Sequence, residues 1–303
     1  MAGAVTPMLA PGVWGVVATP FTGSALDVDE PSLARLVEHY ASLGVAGLTV
    51  LGVFGEAARL DTADRRAVLE TVLDSVDLPV VVGATGLSTA PVIEEVALAA
   101  ELAGSRLAGA MVQVNSGDPH VLSRHLADVH EATGAGLVVQ DYPLVSGVRI
   151  APAALAAALA ATPGVVAVKA EAPPTTTAIA TLTESLDVPV FGGLGGLGLL
   201  DELAAGAAGA MTGFSFPEGL LACVEAWQAG GYAAAREAFL PYLPLVNFEQ
   251  QATVALAVRK ECLRRRGLIL DAGVRPPAAS LPEALREQLH RHVTAVSTMT
   301  EVA

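Results

Sequence analysis

Val165-Val166-Ala167-Val168-Lys169 is a run of four apolar residues, three of them β-branched, that ends on a lysine. It follows Pro163-Gly164, and its lack of alternation predicts a short strand buried on both faces. Ala/Leu-rich stretches at helical spacing flank it, Ala151 to Ala161 before and Thr175 to Leu186 after. Parallel neighbours need a crossover between them, so a strand set between two helices is the unit of a parallel sheet.

The same unit recurs along the chain. Reading outward, the candidate strands are Val13 to Thr19, Gly47 to Leu51, Val80 to Ala84, Gly109 to Gln113, Gly136 to Asp141, Val165 to Lys169, Val188 to Gly192 and Ala208 to Thr212. The helices between them are Pro31 to Leu43, Thr62 to Ser75, Ala90 to Ala103, Pro119 to Ala132, Ala151 to Ala161, Thr175 to Leu186 and Leu197 to Ala205. Strands apolar throughout suit a closed (β/α)8 TIM barrel, with helices outside and packed side chains inside, better than an open sheet. Beyond the eighth strand, Gly219 to Ala229 closes the barrel, while Tyr232 to Val246, Phe248 to Arg266 and Pro282 to Val296 read as a C-terminal three-helix extension. The expected division is residues 1–230 for the barrel and 231–303 for the extension packed on it, with the loop Asp271 to Ser280 held by Pro276 and Pro277.

Of the 303 residues, 52% are hydrophobic and 16% charged, which excludes disorder. The uncharged stretch between Arg149 and Lys169 is interrupted by Pro152, Pro163 and Gly164, so no membrane span is expected. Met1 to Gly12 lacks the basic start and apolar run of a secretory leader, which makes the cytoplasm the expected compartment. A net charge of -14 argues against nucleic acid; the only basic run, Arg264-Arg265-Arg266, reads as a helix end. Cys223 and Cys262 both fall in helical stretches without metal-ligand spacing and read as packed thiols.

Barrel enzymes place their chemistry where strands run out into the following loops. Lys169 ends its strand in a chain with 15 arginines and only two lysines. A barrel interior removes water from the ammonium and disfavours its charged form, leaving an amine able to attack a ketone. The structural alternative is a lysine paired with Glu171 or Glu56. The second lysine, Lys260, lies between Arg259 and Glu261 in a helix and reads as solvated or interface-facing. Gly52-Val53-Phe54-Gly55-Glu56 after the second strand is either a plain turn or a loop whose amides receive a carboxylate. Gly193-Leu194-Gly195-Gly196-Leu197-Gly198 has GxGxxG spacing, but it follows the seventh strand of a chain with no separate Rossmann half; room for a substrate beside Lys169 competes with a phosphate site. The six histidines all fall in, or at the start of, helices and are not expected to be catalytic.

Ala18-Thr19-Pro20-Phe21, Gly52-Val53-Phe54-Gly55-Glu56, Asp141-Tyr142-Pro143 and Val168-Lys169, in this order, resemble the dihydrodipicolinate synthase and N-acetylneuraminate lyase family over about Val13 to Val296. The resemblance implies a Schiff-base-forming barrel with Lys169 as nucleophile and Gly52, Val53 and Phe54 at the pyruvyl carboxylate. The sequence departs from the family at several positions. Val53 and Phe54 replace the family's two threonines, and Gln140 stands where its catalytic tyrosine belongs, with Tyr142 two residues on. Val145 falls near the synthase's substrate arginine, and the aromatic pair after strand four is replaced around Val114, Asn115 and Ser116. The resemblance therefore points away from dihydrodipicolinate synthase itself, towards a lyase or aldolase acting on pyruvate or a 2-oxo-3-deoxy acid. A sugar-acid dehydratase of the same superfamily and a degenerate small-acid-binding protein are the alternatives. The expected catalytic residues are Lys169, Tyr142 and Glu171, with Gly52, Val53, Phe54, Gln140, Asp141, Gly192, Gly193 and Thr212 at the substrate. No cofactor and no metal is expected, and the family implies a homo-oligomer, a dimer or tetramer.

Overall fold

The computed structural model describes residues 7–300. Residues 1–6, part of the segment read for a leader, and 301–303, the end of the expected extension, lie outside it. Eight parallel strands form a closed barrel in which each pairs with the next and the last with the first. They are β1 (Gly12–Val16), β2 (Gly47–Val50), β3 (Val80–Ala84), β4 (Leu107–Gln113), β5 (Leu137–Asp141), β6 (Val165–Ala170), β7 (Val190–Gly192) and β8 (Gly209–Thr212). A short antiparallel pair, Phe21–Thr22 with Asp27–Val28, follows β1.

The outer helices are α1 (Glu30–Ser42), α2 (Thr62–Ser75), α3 (Thr89–Ala103), α4 (Pro119–Thr133), α5 (Pro152–Ala160), α6 (Thr175–Ser185), α7 (Leu199–Ala204) and α8 (Pro217–Phe239). Their starts follow from local chemistry. Asp61 and Asp64 form a reciprocal capping box at α2, and Asp118 accepts from the amides of His120 and Val121 at α4, with Pro119 in the first turn. The first strand is shorter than its expected span, Val13 to Thr19. Thr19 lies beyond it, buried, and its hydroxyl donates to the Gly55 carbonyl at 2.7 Å, tying the loops after β1 and β2 together.

The tail departs further from expectation. Helix α8 carries the chain past residue 230 and turns at Gly231, whose φ of 68° suits glycine. The expected helix Tyr232 to Val246 is divided between the end of α8 and α9 (Leu243–Phe248), and the expected helix Phe248 to Arg266 is cut down to α10 (Ala255–Arg265). The reason is Glu249, which is fully buried and accepts from Arg259 Nε at 3.2 Å. On one unbroken helix these two residues would be separated by roughly 15 Å along the axis, so pairing them requires the loop that stands at residues 249–254. The last helix, α11, spans Arg286–Thr300.

Tyr242, Leu245, Val258, Cys262, Leu289 and Val296 of the tail share one apolar core with Phe214, Phe216, Leu220 and Phe239 at the end of the barrel. Burying that surface removes it from water at about 25 cal/mol per Å2, which holds the tail against the barrel mouth. Among the described residues, no helix is long and apolar enough to cross a membrane.

Candidate active site

A cavity of about 430 Å3 opens at the carboxyl ends of the strands. Its wall takes Gly52, Val53 and Phe54 from the loop after β2, Gln140 and Tyr142 from β5 and its loop, Lys169 from β6 and Glu171 just after it, and Thr212 from β8. These positions converge because parallel strands in register set neighbouring residues side by side. Gln140 is opposite Lys169, and Lys169 is opposite Phe191. The strand β5 ends at Asp141, yet Tyr142 still reaches the wall that Gln140 lines.

At the centre, Lys169 Nζ lies 3.2 Å from Glu171 Oε2, with Lys169 5% and Glu171 4% exposed. Glu171 is held from two further sides. Gln140 Nε2 donates to its Oε2 at 2.6 Å, and the Leu194 amide donates to its Oε1 at 3.0 Å. Three donors on one buried carboxylate compensate its desolvation and fix its direction. The ion pair read from the sequence as the structural alternative is therefore present, but a cavity adjoins it. A pair beside a cavity can pass a proton and free the amine.

Asp141, Gly192 and Gly193 do not line the cavity. Successive strand residues point to opposite faces, so Gln140 inward sends Asp141 outward. Asp141 is buried, its Oδ1 has no hydrogen-bond partner among the described residues, and burial, with the charge of Glu171 added, pushes its carboxyl up to about 6. Gly193 acts through its lack of a side chain. A Cβ there would stand 2.2 Å from Glu171 Oε1, so glycine is what lets the carboxylate occupy its place. At Gly192 a Cβ would stand 1.9 Å from Glu202 Oε2. Thr212 lines the cavity, and its hydroxyl accepts from the Gly195 amide at 2.6 Å, which shapes the glycine-rich loop.

Glu202 was missed in the sequence because it sits inside a short helix among Leu and Ala. Its carboxyl is buried, and neither oxygen accepts a well-formed hydrogen bond from the described residues. Burial pushes it up to about 7; the nearby Thr175 hydroxyl eases the charge only in part, and Glu171 opposes it.

The tail supplies residues that strand-end reasoning could not reach. Gln250, Thr253, Leu256, Arg259 and the segment Pro277 to Ala279 close one side of the cavity. Lys260, expected on a solvated or interface-facing helix, has a fully buried side chain. Its Nζ donates to Glu56 Oε1 at 2.6 Å and to the Gly273 carbonyl at 2.7 Å, and lies 4.1 Å from the Phe21 ring centroid. Of the two alternatives the solvated one fails, because the flanking charges of Arg259 and Glu261 do not make a solvent face where the helix is wedged between barrel mouth and tail. Burial pulls the Lys260 amine down to about 8 against the opposing pull of Glu56. Glu56 has a left-handed backbone, with φ of 56°, and also accepts from the Arg275 amide and Arg59. The loop Gly52 to Glu56 is thus pinned at its far end, and among the described residues the amides of Val53 and Phe54 have no backbone partner.

The dihydrodipicolinate synthetase family model matches residues 10–296. The chain belongs to this family. Relatives of similar length carry different activities. One is the L-2-keto-3-deoxyarabonate dehydratase of Azospirillum brasilense, 29% identical over 288 residues that cover 92% of each chain. Another is the 4-hydroxy-tetrahydrodipicolinate synthase of Methanopyrus kandleri, 27% identical over 96% of this chain and 97% of that one. Among solved structures, dihydrodipicolinate synthase from Rhodopseudomonas palustris superposes with a TM-score of 0.88 at 32% identity, covering 96% of this chain and all of that one. Family membership makes an enzyme of the lyase and dehydratase kind the coarse reading of this chain.

Proposed function

We propose that this chain is a Schiff-base-forming lyase that removes water from a 2-oxo-3-deoxy acid. The observation that carries the reading is the Glu171 carboxylate held 3.2 Å from Lys169 Nζ, beside a cavity, in a site where Gln140 replaces the family's tyrosine. An amide cannot exchange protons at neutral pH, so the proton carrier is the carboxylate two residues after the lysine.

The steps balance with that one group. Glu171 takes a proton from the Lys169 ammonium, and the free amine attacks the ketone carbon C2 while the Val53 and Phe54 amides receive the substrate carboxylate. The carbinolamine loses water, with the proton returned by Glu171, to give the iminium. Glu171 then removes a proton from C3. The enamine electrons expel the C4 hydroxyl, which leaves as water with that same proton. Hydrolysis of the conjugated iminium restores Lys169 and releases a 2-oxo acid of unchanged carbon number. Tyr142 also borders the cavity; burial and the charge of Glu171 hold its phenol above the usual range, which suits it to donate a hydrogen bond rather than to act as a base. The likeness to the Azospirillum dehydratase supports the same reaction class.

Aldol cleavage is the second reading, because the same iminium supports it when a base takes the C4 hydroxyl proton instead of the C3 proton. Borohydride reduction in the presence of pyruvate, followed by peptide mass spectrometry, is expected to place the adduct on Lys169. Product analysis with 2-oxo-3-deoxy acids then separates the reactions: pyruvate release means cleavage, and an intact carbon chain means dehydration. No adduct across a panel of 2-oxo acids would overturn the imine.

A further inference from the structure

Arg259 is a cation on the cavity wall whose donors the protein itself uses only in part. Its side chain is 12% exposed and lines the cavity that holds Lys169. Nε donates to Glu249 Oε2 at 3.2 Å, and Nη2 is sealed beneath the glycine-rich loop, where a Cβ on Gly195 would stand 2.6 Å from it. Among the described residues neither Nη1 nor Nη2 has a hydrogen-bond partner, and of the two only Nη1 is not sealed. Glu249, itself buried and bound by Ser215, thus grips one side of the guanidinium and leaves a donor free on the other. A nearly buried cation with a free donor is a strong receptor for an anion, because little water competes for it.

Its position says which anion. The guanidinium carbon lies 5.5 Å from the centroid of the Phe54 ring, and that ring is wedged against Gly213, where a Cβ would stand 2.5 Å from it. Phe54 therefore joins two features: its backbone amide has no backbone partner, and its ring carries the cation. Val53 and Phe54 are both apolar, so this part of the loop offers an anion no side-chain donor of its own. The charge also bears on the groups proposed for proton handling. Burial and Glu171 push the Tyr142 phenol up, and Arg259 opposes them. Arg59 is the other arginine on the cavity wall, but it is 29% exposed and its Nη1 donates to Glu56, at the far end of the loop from those amides.

We infer that Arg259 receives the carboxylate of the 2-oxo acid, its Nη1 adding a charged donor to the amides of Val53 and Phe54. This deepens the proposed function and rests on it for the placement of the 2-oxo acid end. The tail is then part of the binding site: α10 supplies the cation, and Glu249, at the break between α9 and α10, aims it.

The test titrates lactate and lactamide by ligand-detected NMR. Neither has a ketone, so neither forms an imine, and they differ in whether the carboxyl group carries a charge. The unmodified enzyme is expected to bind lactate at least about tenfold more tightly than lactamide, the scale of one charge-assisted hydrogen bond. Arg259→Met should erase that preference, whereas Arg59→Met should keep most of it. Methionine leaves Glu249 buried without its partner, so Arg259→Met combined with Glu249→Gln serves if the single variant folds poorly, and it too should show no preference. A merely structural role for Arg259 would weaken both ligands alike and leave their ratio unchanged. The inference is overturned if the unmodified enzyme shows no preference, if the preference survives the loss of Arg259, or if Arg59→Met is the variant that erases it. Borohydride trapping with pyruvate on the same preparations reads Lys169 separately. A preference without an adduct defeats the imine alone, and an adduct without the preference defeats the carboxylate receptor alone.

Discussion

Lys260 Nζ and Glu56 Oε1 are 2.6 Å apart, 204 residues apart in sequence, with both side chains fully withdrawn from solvent. This contact ties the tail helix α10 to the end of the loop Gly52 to Glu56, whose Gly52, Val53 and Phe54 line the cavity. Removing one partner of a buried pair leaves the other charge uncompensated, which costs about 3–5 kcal/mol. Lys260→Met is therefore expected to lower stability by that order in urea denaturation, and Lys260→Met with Glu56→Gln to recover part of it. A single variant as stable as the unmodified protein would mean that Arg59 and the Arg275 amide hold Glu56 by themselves.

Glu171→Gln keeps the size and the hydrogen-bonding reach of the side chain but removes its ability to carry a proton. Turnover should fall by about 10²- to 10⁴-fold, the usual contribution of a positioned acid or base. Borohydride trapping of pyruvate at Lys169 should be slower yet still detectable. Unchanged turnover would remove Glu171 from the chemistry and leave Tyr142 as the remaining titratable candidate on the wall.

Gly193→Ala should mimic that loss without replacing either charged residue. The added methyl would lie 2.2–2.4 Å from Oε1, Cγ and Cδ of Glu171, so the carboxyl must swing away from Lys169. The measurement is kcat beside the thermal midpoint. A large fall in the first with a small change in the second supports a glycine chosen for the site, whereas equal losses would mark it as a packing position.

Glu202 makes stability depend on pH in a direction opposite to that of a paired carboxylate. Its folded-state pKa, about 7, is raised above the ordinary 4.5 by burial. Between those values the folded protein holds a proton that the unfolded chain releases, so stability falls as pH rises from about 4.5 to about 7 and stays reduced above. Glu202→Gln removes the titration. Its thermal midpoint, relative to the unmodified protein, should be several degrees higher at pH 8 than at pH 5, reflecting an effect on the order of a few kcal/mol. A pH-independent difference would show that Glu202 stays ionised in the fold.

Much of the architecture was legible along the chain because it is built from local regularities. The span Val80 to Ala84 and the helix Thr62 to Ser75 coincide with the observed elements to the residue, since β-branched runs and a capping box both act over a few positions. Lys169 was legible for the same kind of reason, as a rare charge closing an apolar strand. Gln140 and Glu171 could be named from their distance along the chain to a strand end, whereas Tyr142 came only from the resemblance carried by Asp141-Tyr142-Pro143.

The pairing of those groups was decided elsewhere. Register across β5 and β6, not spacing within either, brings Gln140 and Lys169 side by side. The sequence around Lys260 looks like a helix facing solvent or an interface, and the sequence around Glu249 to Arg259 looks like the middle of one; folding of the tail over the barrel mouth removes the solvent-facing alternative and breaks the second helix. Local pattern reports how a segment satisfies its own backbone and which face is apolar. It carries no record of which distant charge will be buried with which, because that is set by desolvation and contact between segments that only closure of the whole chain brings together.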